Sequence, residues 1–220
     1  KTGSIQSGST LSDYRKQEID HQHSISMSLI NFNFLDKKFN IIDTPGYMDF
    51  LGEVKSGLKV VDTAAIVINA SEGIEVLTDL SWEYASEYNN SKCIIVNMCD
   101  RDLSKFDDVL SSLKERFGRN IFPFMLPVNE GTGLNQISDV LRKEVLEFSN
   151  TGDYNSKSAD GELESKLTKM HEELIEMVAE SDESLLETFF DKGELSDDEL
   201  RGGLRKAINN GLVPVFCCAG

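Results

Sequence analysis

Asp43-Thr44-Pro45-Gly46 stands where an apolar run, Phe39-Asn40-Ile41-Ile42, meets a loop. An Asp at the carboxyl end of such a strand can reach Mg²⁺, usually through a water. A glycine N–H three residues later can approach a terminal phosphate with no Cβ in the way. Asp, Pro and Gly also build ordinary turns, so the tetrapeptide by itself leaves both readings open. A second group, Asn97-Met98-Cys99-Asp100, follows the apolar run Cys93 to Val96. One Asp carboxylate there can accept two hydrogen bonds, from the ring N–H and the exocyclic amine of guanine, a pair that adenine does not present. The Asn would buttress the loop. Taken alone, Asn-x-x-Asp is common and reads first as a helix cap. Order and spacing favour the ligand reading: 54 residues separate Asp43 from Asn97, enough for a helix, a strand and another helix.

The elements that must position these groups follow from periodicity. Ser26 to Leu35 alternates, with Met27, Leu29, Phe32 and Phe34 apolar, and the polar turn Asp36-Lys37-Lys38 leads into a second strand, predicting a hairpin. Helical spacing then covers Gly52 to Asp62, Val76 to Tyr88 and Lys105 to Phe117. Between them Ala64 to Ile68 and Cys93 to Val96 are short apolar runs of the kind that fill buried parallel strands. Ile121 to Val128 is strand-like, but Pro123 and Pro127 forbid an uninterrupted central strand. The alternation predicts an α/β fold with a mostly parallel sheet and helices on both faces.

Charge is distributed unevenly. The net charge is −16, with 38 acidic against 22 basic residues, and residues 151–200 alone carry −12. That balance argues against this chain gripping a nucleic-acid backbone by itself. No apolar run is long enough to span a membrane, and no signal-peptide pattern opens the chain. The four cysteines lack the spacing of a zinc site and read as buried free thiols of a reducing cytoplasm. Asn150 to Gly161 has the composition of a loop. Leu163 to Val178, Asp182 to Phe190 and Ser196 to Asn210 read as helices, the last opened by the capping box Ser196-x-x-Glu199. Val213 to Cys217 returns to an apolar strand. The expected division is residues 1–122 as a core, 123–210 as a helical acidic insertion, and 211–220 as a return to the core.

With these residues in order, the chain resembles the GTP-binding domain of translation elongation factor G and its paralogues, members of the translational GTPases. Ile41 to Phe50 and the following GEVKSGLKVVDTAAIVINASEGIEV carry the likeness, Asn97 to Asp100 stands at the family's Asn-Lys-x-Asp position, and Val213 to Gly220 matches the guanine-closing strand and loop. The resemblance covers essentially the whole chain. It implies a P-loop GTPase (Ras-like) domain using GTP and Mg²⁺. Asp43 would support the metal and Gly46 would sense the γ-phosphate. Asn97 and Asp100 would read guanine, with the Ala219 backbone N–H near the base carbonyl. Ser24, 19 residues before Asp43, would be the metal-coordinating hydroxyl of the first switch. Residues 8–27 and 44–62 would be the switches. The parent would be a cytoplasmic, ribosome-stimulated GTPase driving tRNA and mRNA translocation, a monomer meeting the ribosomal stalk protein through its acidic insertion. A tetracycline-resistance ribosomal protection protein, a release factor of the same superfamily and a degenerate, non-hydrolysing binding module are the other readings.

Departures from the pattern sharpen these expectations. Tyr47 replaces the histidine that positions the attacking water; a phenol cannot become an imidazolium beside phosphate but still exchanges hydrogen bonds. Met98 replaces a lysine, keeping the apolar stem and losing the ammonium, which predicts weaker nucleotide affinity. Asp20-His21-Gln22-His23 replaces the usual Arg-Gly-Ile run; its histidines read as solvent-exposed. Gly3-Ser4-Ile5-Gln6-Ser7-Gly8-Ser9-Thr10 has P-loop glycine spacing, but Ser9 stands where lysine is needed. It reads as a decoy, with Lys1-Thr2-Gly3 falling just after the family's first helix. The expectation is therefore a fragment whose phosphate cradle lies upstream, itself inactive and a poor binder of nucleotide.

Overall fold

The computed structural model describes residues 3–149, 152–193 and 195–219, so Lys1, Thr2, Asn150 and Gly220, which enter the reading above, lie outside the described residues. In chain order the elements are α1 (Lys16–His21), β1 (Ser28–Phe34), β2 (Lys37–Asp43), α2 (Leu51–Leu58), β3 (Thr63–Asn69), α3 (Val76–Glu87), β4 (Ser91–Asn97) and α4 (Phe106–Phe117). They continue as β5 (Ile121–Pro123), β6 (Met125–Pro127), β7 (Gln136–Asp139), β8 (Glu144–Phe148), β9 (Tyr154–Ser158), α5 (Gly161–Ala179), α6 (Glu183–Lys192), α7 (Asp197–Asn209) and β10 (Val213–Cys217). Two compact units result, residues 1–64 with 76–90, and residues 65–75 with 91–220.

In the first unit β1 and β2 pair antiparallel from Ser28↔Asp43 to Phe34↔Lys37. The turn is Leu35-Asp36, both with positive φ, so Lys37 and Lys38 belong to β2 rather than to the loop. Among the hairpin's residues only Ser28 is buried; Phe32 and Phe39 stack on one another at 5.1 Å in the open. α2 lies against the loop after β2: a Cβ on the buried Gly57 would come within 3.1 Å of the Thr44 methyl. Lys55 of α2 sits over the Tyr84 ring of α3 and pairs with Glu87 at 3.7 Å.

The second unit holds the expected α/β sheet, ordered β3-β4-β10-β5. β10 runs parallel to β4 (Val215↔Ile94, Cys217↔Val96) and to β5 (Val213↔Ile121, Val215↔Pro123). Ile94, Val96 and Val215 are wholly buried, because a strand between two neighbours, as β4 and β10 are, can pack both its edges and its faces; Ile121 on the edge strand β5 is wholly buried as well. The edge strand β3 differs from the expectation. Ala64, Ile66 and Ile68 are buried, whereas Val67 on the other face is 59 % exposed. Its apolar run alternates in burial rather than being covered on both sides.

The run 121–128 splits at Phe124 into β5 and β6, which join different sheets. The Phe124 N–H donates to Val215 O and its carbonyl accepts from Val140 N, so one residue serves both. β6-β7-β8-β9 is an antiparallel meander that the sequence pattern does not announce. Tyr154–Ser158 within the expected loop 150–161 is its last strand, exposed throughout, so its polar residues face water on an edge. The acidic helices are where periodicity puts them. α5 buries Leu167, Leu174, Val178 and Ala179. α7 starts on the Ser196–Glu199 capping box. Asp182 caps α6 through Ser184 N and Leu185 N and meets Lys206 of α7 at 2.5 Å. A Cβ on Gly203 would fall 2.5 Å from Val178 and 2.7 Å from Leu185; glycine lets α7 pack directly onto α5 and α6.

Candidate functional site

Ser24, Asp43, Gly46 and Tyr47 fall in the first unit, and Asn97, Asp100 and Ala219 in the second. In the first unit Asp43 ends β2, half-buried, and Pro45 is fully buried behind it. Gly46 is exposed, and a Cβ built there meets nothing within 4 Å. Neither its φ nor its neighbours in this chain demand glycine, so the need, if functional, comes from something that binds outside the chain.

The segment before the hairpin is organised by a residue that the motif search passes over. Glu18 is 1 % exposed, and its carboxylate accepts from Arg15 N (3.1 Å), Ile25 N (3.2 Å) and Ser26 N (3.1 Å). Burial alone would raise its pKa. The three N–H donors and the nearby Arg15 charge outweigh that and hold it below the ordinary value. The available signal was the three-residue spacing Arg15-x-x-Glu18, a capping-box distance inside a polar stretch.

Glu18 thereby fixes the turn that carries His23 and Ser24. The Ser24 hydroxyl donates to Asp13 Oδ1 at 2.6 Å, committing its hydrogen and leaving oxygen lone pairs. His23 is half-buried, contrary to the solvent-exposed reading: its ring lies 4.5 Å from that of Tyr47 and 6.2 Å from that of Phe50. His21 is exposed, as expected. Met27 N donates to Glu53 Oε2 at 2.7 Å, a second tie between the segments 8–27 and 44–62.

Residues 3–10 close on themselves. Ser4 N and Ser7 N are taken by the Ser9 and Ser4 hydroxyls, while Gly8 N and Ser9 N go to the carbonyls of Ile5 and Ser4. Amides spent inside a turn are not available to cradle a phosphate.

In the second unit the parallel register brings the ends of β4 and β10 side by side. Cys218 N donates to Val96 O, Cys99 N to Cys218 O, and Ala70 N to Asn97 O. Asn97 Oδ1 accepts from Met98 N at 2.8 Å and from the Cys218 thiol at 3.1 Å. Met98 takes the left-handed conformation (φ 62°) that turns the chain toward Asp100. Glu130 supports the loop from behind, accepting from the Ser104 hydroxyl (2.7 Å) and from Phe106 N at the start of α4 (2.9 Å). Asp100 is half-buried, and Ala219 exposed at the open end of β10.

The four cysteines are free. Cys99 and Cys217 are buried as expected, whereas Cys93 and Cys218 are half-buried. Burial pushes the Cys99 thiol up to about 12 and raises Cys217 and Cys218 as well.

The donor chemistry suits the ligands that the motifs imply. Asp43 and Ser24 offer hard oxygens, which Mg²⁺ takes, and that ion needs few protein ligands when phosphate and water supply the rest. Among the described residues no cluster of three His, Cys, Asp or Glu could cage a metal without such help. No described helix is long and apolar enough to cross a membrane.

Comparison with known proteins bears on the family and the fold. The model of the elongation factor Tu GTP binding domain matches residues 1–220. A crystal structure of a protein from Thermus thermophilus superposes with a TM-score of 0.92 at 25 % identity, covering 100 % of this chain and 33 % of the other. The chain thus spans about a third of that relative's length. Asp-x-x-Gly after one strand and Asn-x-x-Asp after another, in an α/β chain matched over its whole length, make it a member of the elongation factor Tu GTP-binding domain family of translational GTPases.

Proposed function

We propose that this chain is the GTP-binding domain of an elongation-factor-G-like protein that couples GTP hydrolysis on the ribosome to tRNA–mRNA translocation. The observation that carries the nucleotide assignment is the loop 97–100, tied to the end of β10 through Asn97 and Cys99, with Asp100 following a left-handed turn. Asp100 reads the guanine ring N–H and exocyclic amine, Asn97 steadies the loop, and Ala219 N–H faces the base carbonyl. Asp43 and Ser24 hold Mg²⁺, which when bound neutralises charge on the phosphates. Gly46 senses the terminal phosphate, and Tyr47 helps to position the attacking water, the catalytic pair of this reading.

Residues 123–210 form the insertion in a core made of 1–122 and 211–220, and their acidic helices are the surface for the ribosomal stalk protein. The parent acts as a monomer in the cytoplasm, and no nucleic acid is bound by this chain alone. The internally satisfied turn at 3–10 supports a phosphate cradle supplied from elsewhere in the parent. It equally suits a binding module that never hydrolyses GTP, and turnover separates the two.

The test is nucleotide titration and ribosome-stimulated turnover in the full-length protein. GTP and GDP should bind and ATP should not. Asp100→Asn should weaken guanine nucleotides about a hundred-fold while improving xanthine nucleotides, whose 2-oxo group accepts from the new amide. Equal binding of ATP would overturn the base assignment. Binding without ribosome-stimulated turnover would favour the non-hydrolysing module. Unchanged turnover in Tyr47→Phe would exclude a role for the hydroxyl.

A further inference from the structure

The Asn97 side chain is a planar amide with a donor end and an acceptor end, and its use depends on which end faces a ligand. Two donors from the chain settle the matter. Met98 N and the Cys218 thiol both point at Oδ1, at 2.8 and 3.1 Å, and no described residue accepts from Nδ2. The Met98 contact comes from the adjacent peptide and moves with the loop. The Cys218 contact comes from 121 residues away and ties the amide to the end of β10. The backbone of Cys218 is fixed on both sides, its N–H on Val96 O and its carbonyl on Cys99 N, so its sulfur is a fixed point against which Asn97 is oriented.

We propose that Cys218 is a positioning residue for guanine binding: its thiol donates to Asn97 Oδ1 and holds the amide with Nδ2 presented to the base. This rests on the guanine reading of the 97–100 loop. The chemistry fits a donor role. Burial raises the Cys218 pKa, and the Asp100 charge adds to it, so the sulfur keeps its proton at neutral pH. A thiolate could only accept and would repel Oδ1. The retained proton also makes Cys218 a poor nucleophile, which favours a structural donor over a redox centre.

The experiment measures fluorescent GDP affinity in the full-length protein, with thermal stability followed in parallel. Cys218→Ala should weaken GDP about five-fold, the scale of one lost neutral hydrogen bond. Cys218→Ser, which keeps a donor, should stay within about two-fold of the parent and covers the case in which the alanine variant folds poorly. In an Asn97→Ala background, Cys218→Ala should have no further effect, a coupling that loose packing alone would not produce. Unchanged affinity in Cys218→Ala, or an equal loss with and without Asn97, overturns the proposal while leaving guanine binding intact. Failure of the unmutated protein to bind guanine nucleotides overturns the guanine reading, and the proposal with it.

Discussion

The loops after β2 and β4 are chemically parallel, each offering a carboxylate at or just beyond the end of a strand (Asp43 and Asp100), yet they are supported in opposite ways. The loop after β4 hangs from a strand whose Ile94 and Val96 are completely buried, and β10 fixes its partner residue. The loop after β2 hangs from a hairpin in which Leu29 is 68 % and Ile41 45 % exposed. Its order comes from polar ties instead: the Glu18 carboxylate, Met27 to Glu53, and the His23–Tyr47 ring contact. On the proposed reading, the loop after β4 reads the base and gains from a rigid frame, since the base is the same in GTP and GDP. On the same reading, the loop after β2 answers to a terminal phosphate and gains from ties that can be exchanged at small cost.

The contrast is sharpest at the strands themselves. Ile94→Ala should destabilise the second unit by about 3 kcal/mol, the cost of emptying a closed core site. Leu29→Ala on the hairpin should change stability by less than about 0.5 kcal/mol. Chemical denaturation of both variants checks this, and comparable losses would break the distinction.

Next comes Glu18→Ala, which strands three N–H groups and should loosen residues 15–26 by about 2–3 kcal/mol. Hydrogen exchange should report faster exchange there and no change at Met98 or Cys99. The same carboxylate gives the segment a pH dependence. A pKa held below the ordinary 4.5 contributes stability that is complete above that value and is lost as pH falls through the lower folded value. Protection of Ile25 and Ser26, taken relative to the intrinsic exchange rate at each pH, should therefore fall only in acid, and Glu18→Ala should abolish that dependence.

Gly203→Ala tests the frame at a distance from either loop. A methyl group forced against Val178 and Leu185 should cost about 2 kcal/mol, read as a lowered Tm. The smallest effect belongs to His23→Ala: loss of the ring contact should cost about 1 kcal/mol, visible as increased Tyr47 side-chain mobility by NMR.

Much of the frame was legible because its elements state their own periodicity. The helices 161–179 and 197–209, the capping box at Ser196 and the strands 91–97 and 213–217 need only local pattern. The meander was not legible. β7 to β9 are short and partly polar, and such strands become strands only when a neighbour supplies hydrogen bonds. The exposure of β3's outer face was hidden for a related reason, since an apolar run does not say whether the strand sits at an edge.

The sequence by itself determined which residues can do chemistry: the carboxylates Asp43 and Asp100, the glycine at 46, the amide at 97, and the order in which strands deliver them. Only the tertiary structure decided what holds them. Glu18 was one more acid in an acidic chain until folding pointed three backbone donors at it. Cys218 was one of four thiols until the parallel register of β10 on β4 set it beside Asn97. Residue type fixes what a group can donate or accept, whereas a partner 121 residues away is chosen by strand pairing, a non-local decision that no local spacing encodes.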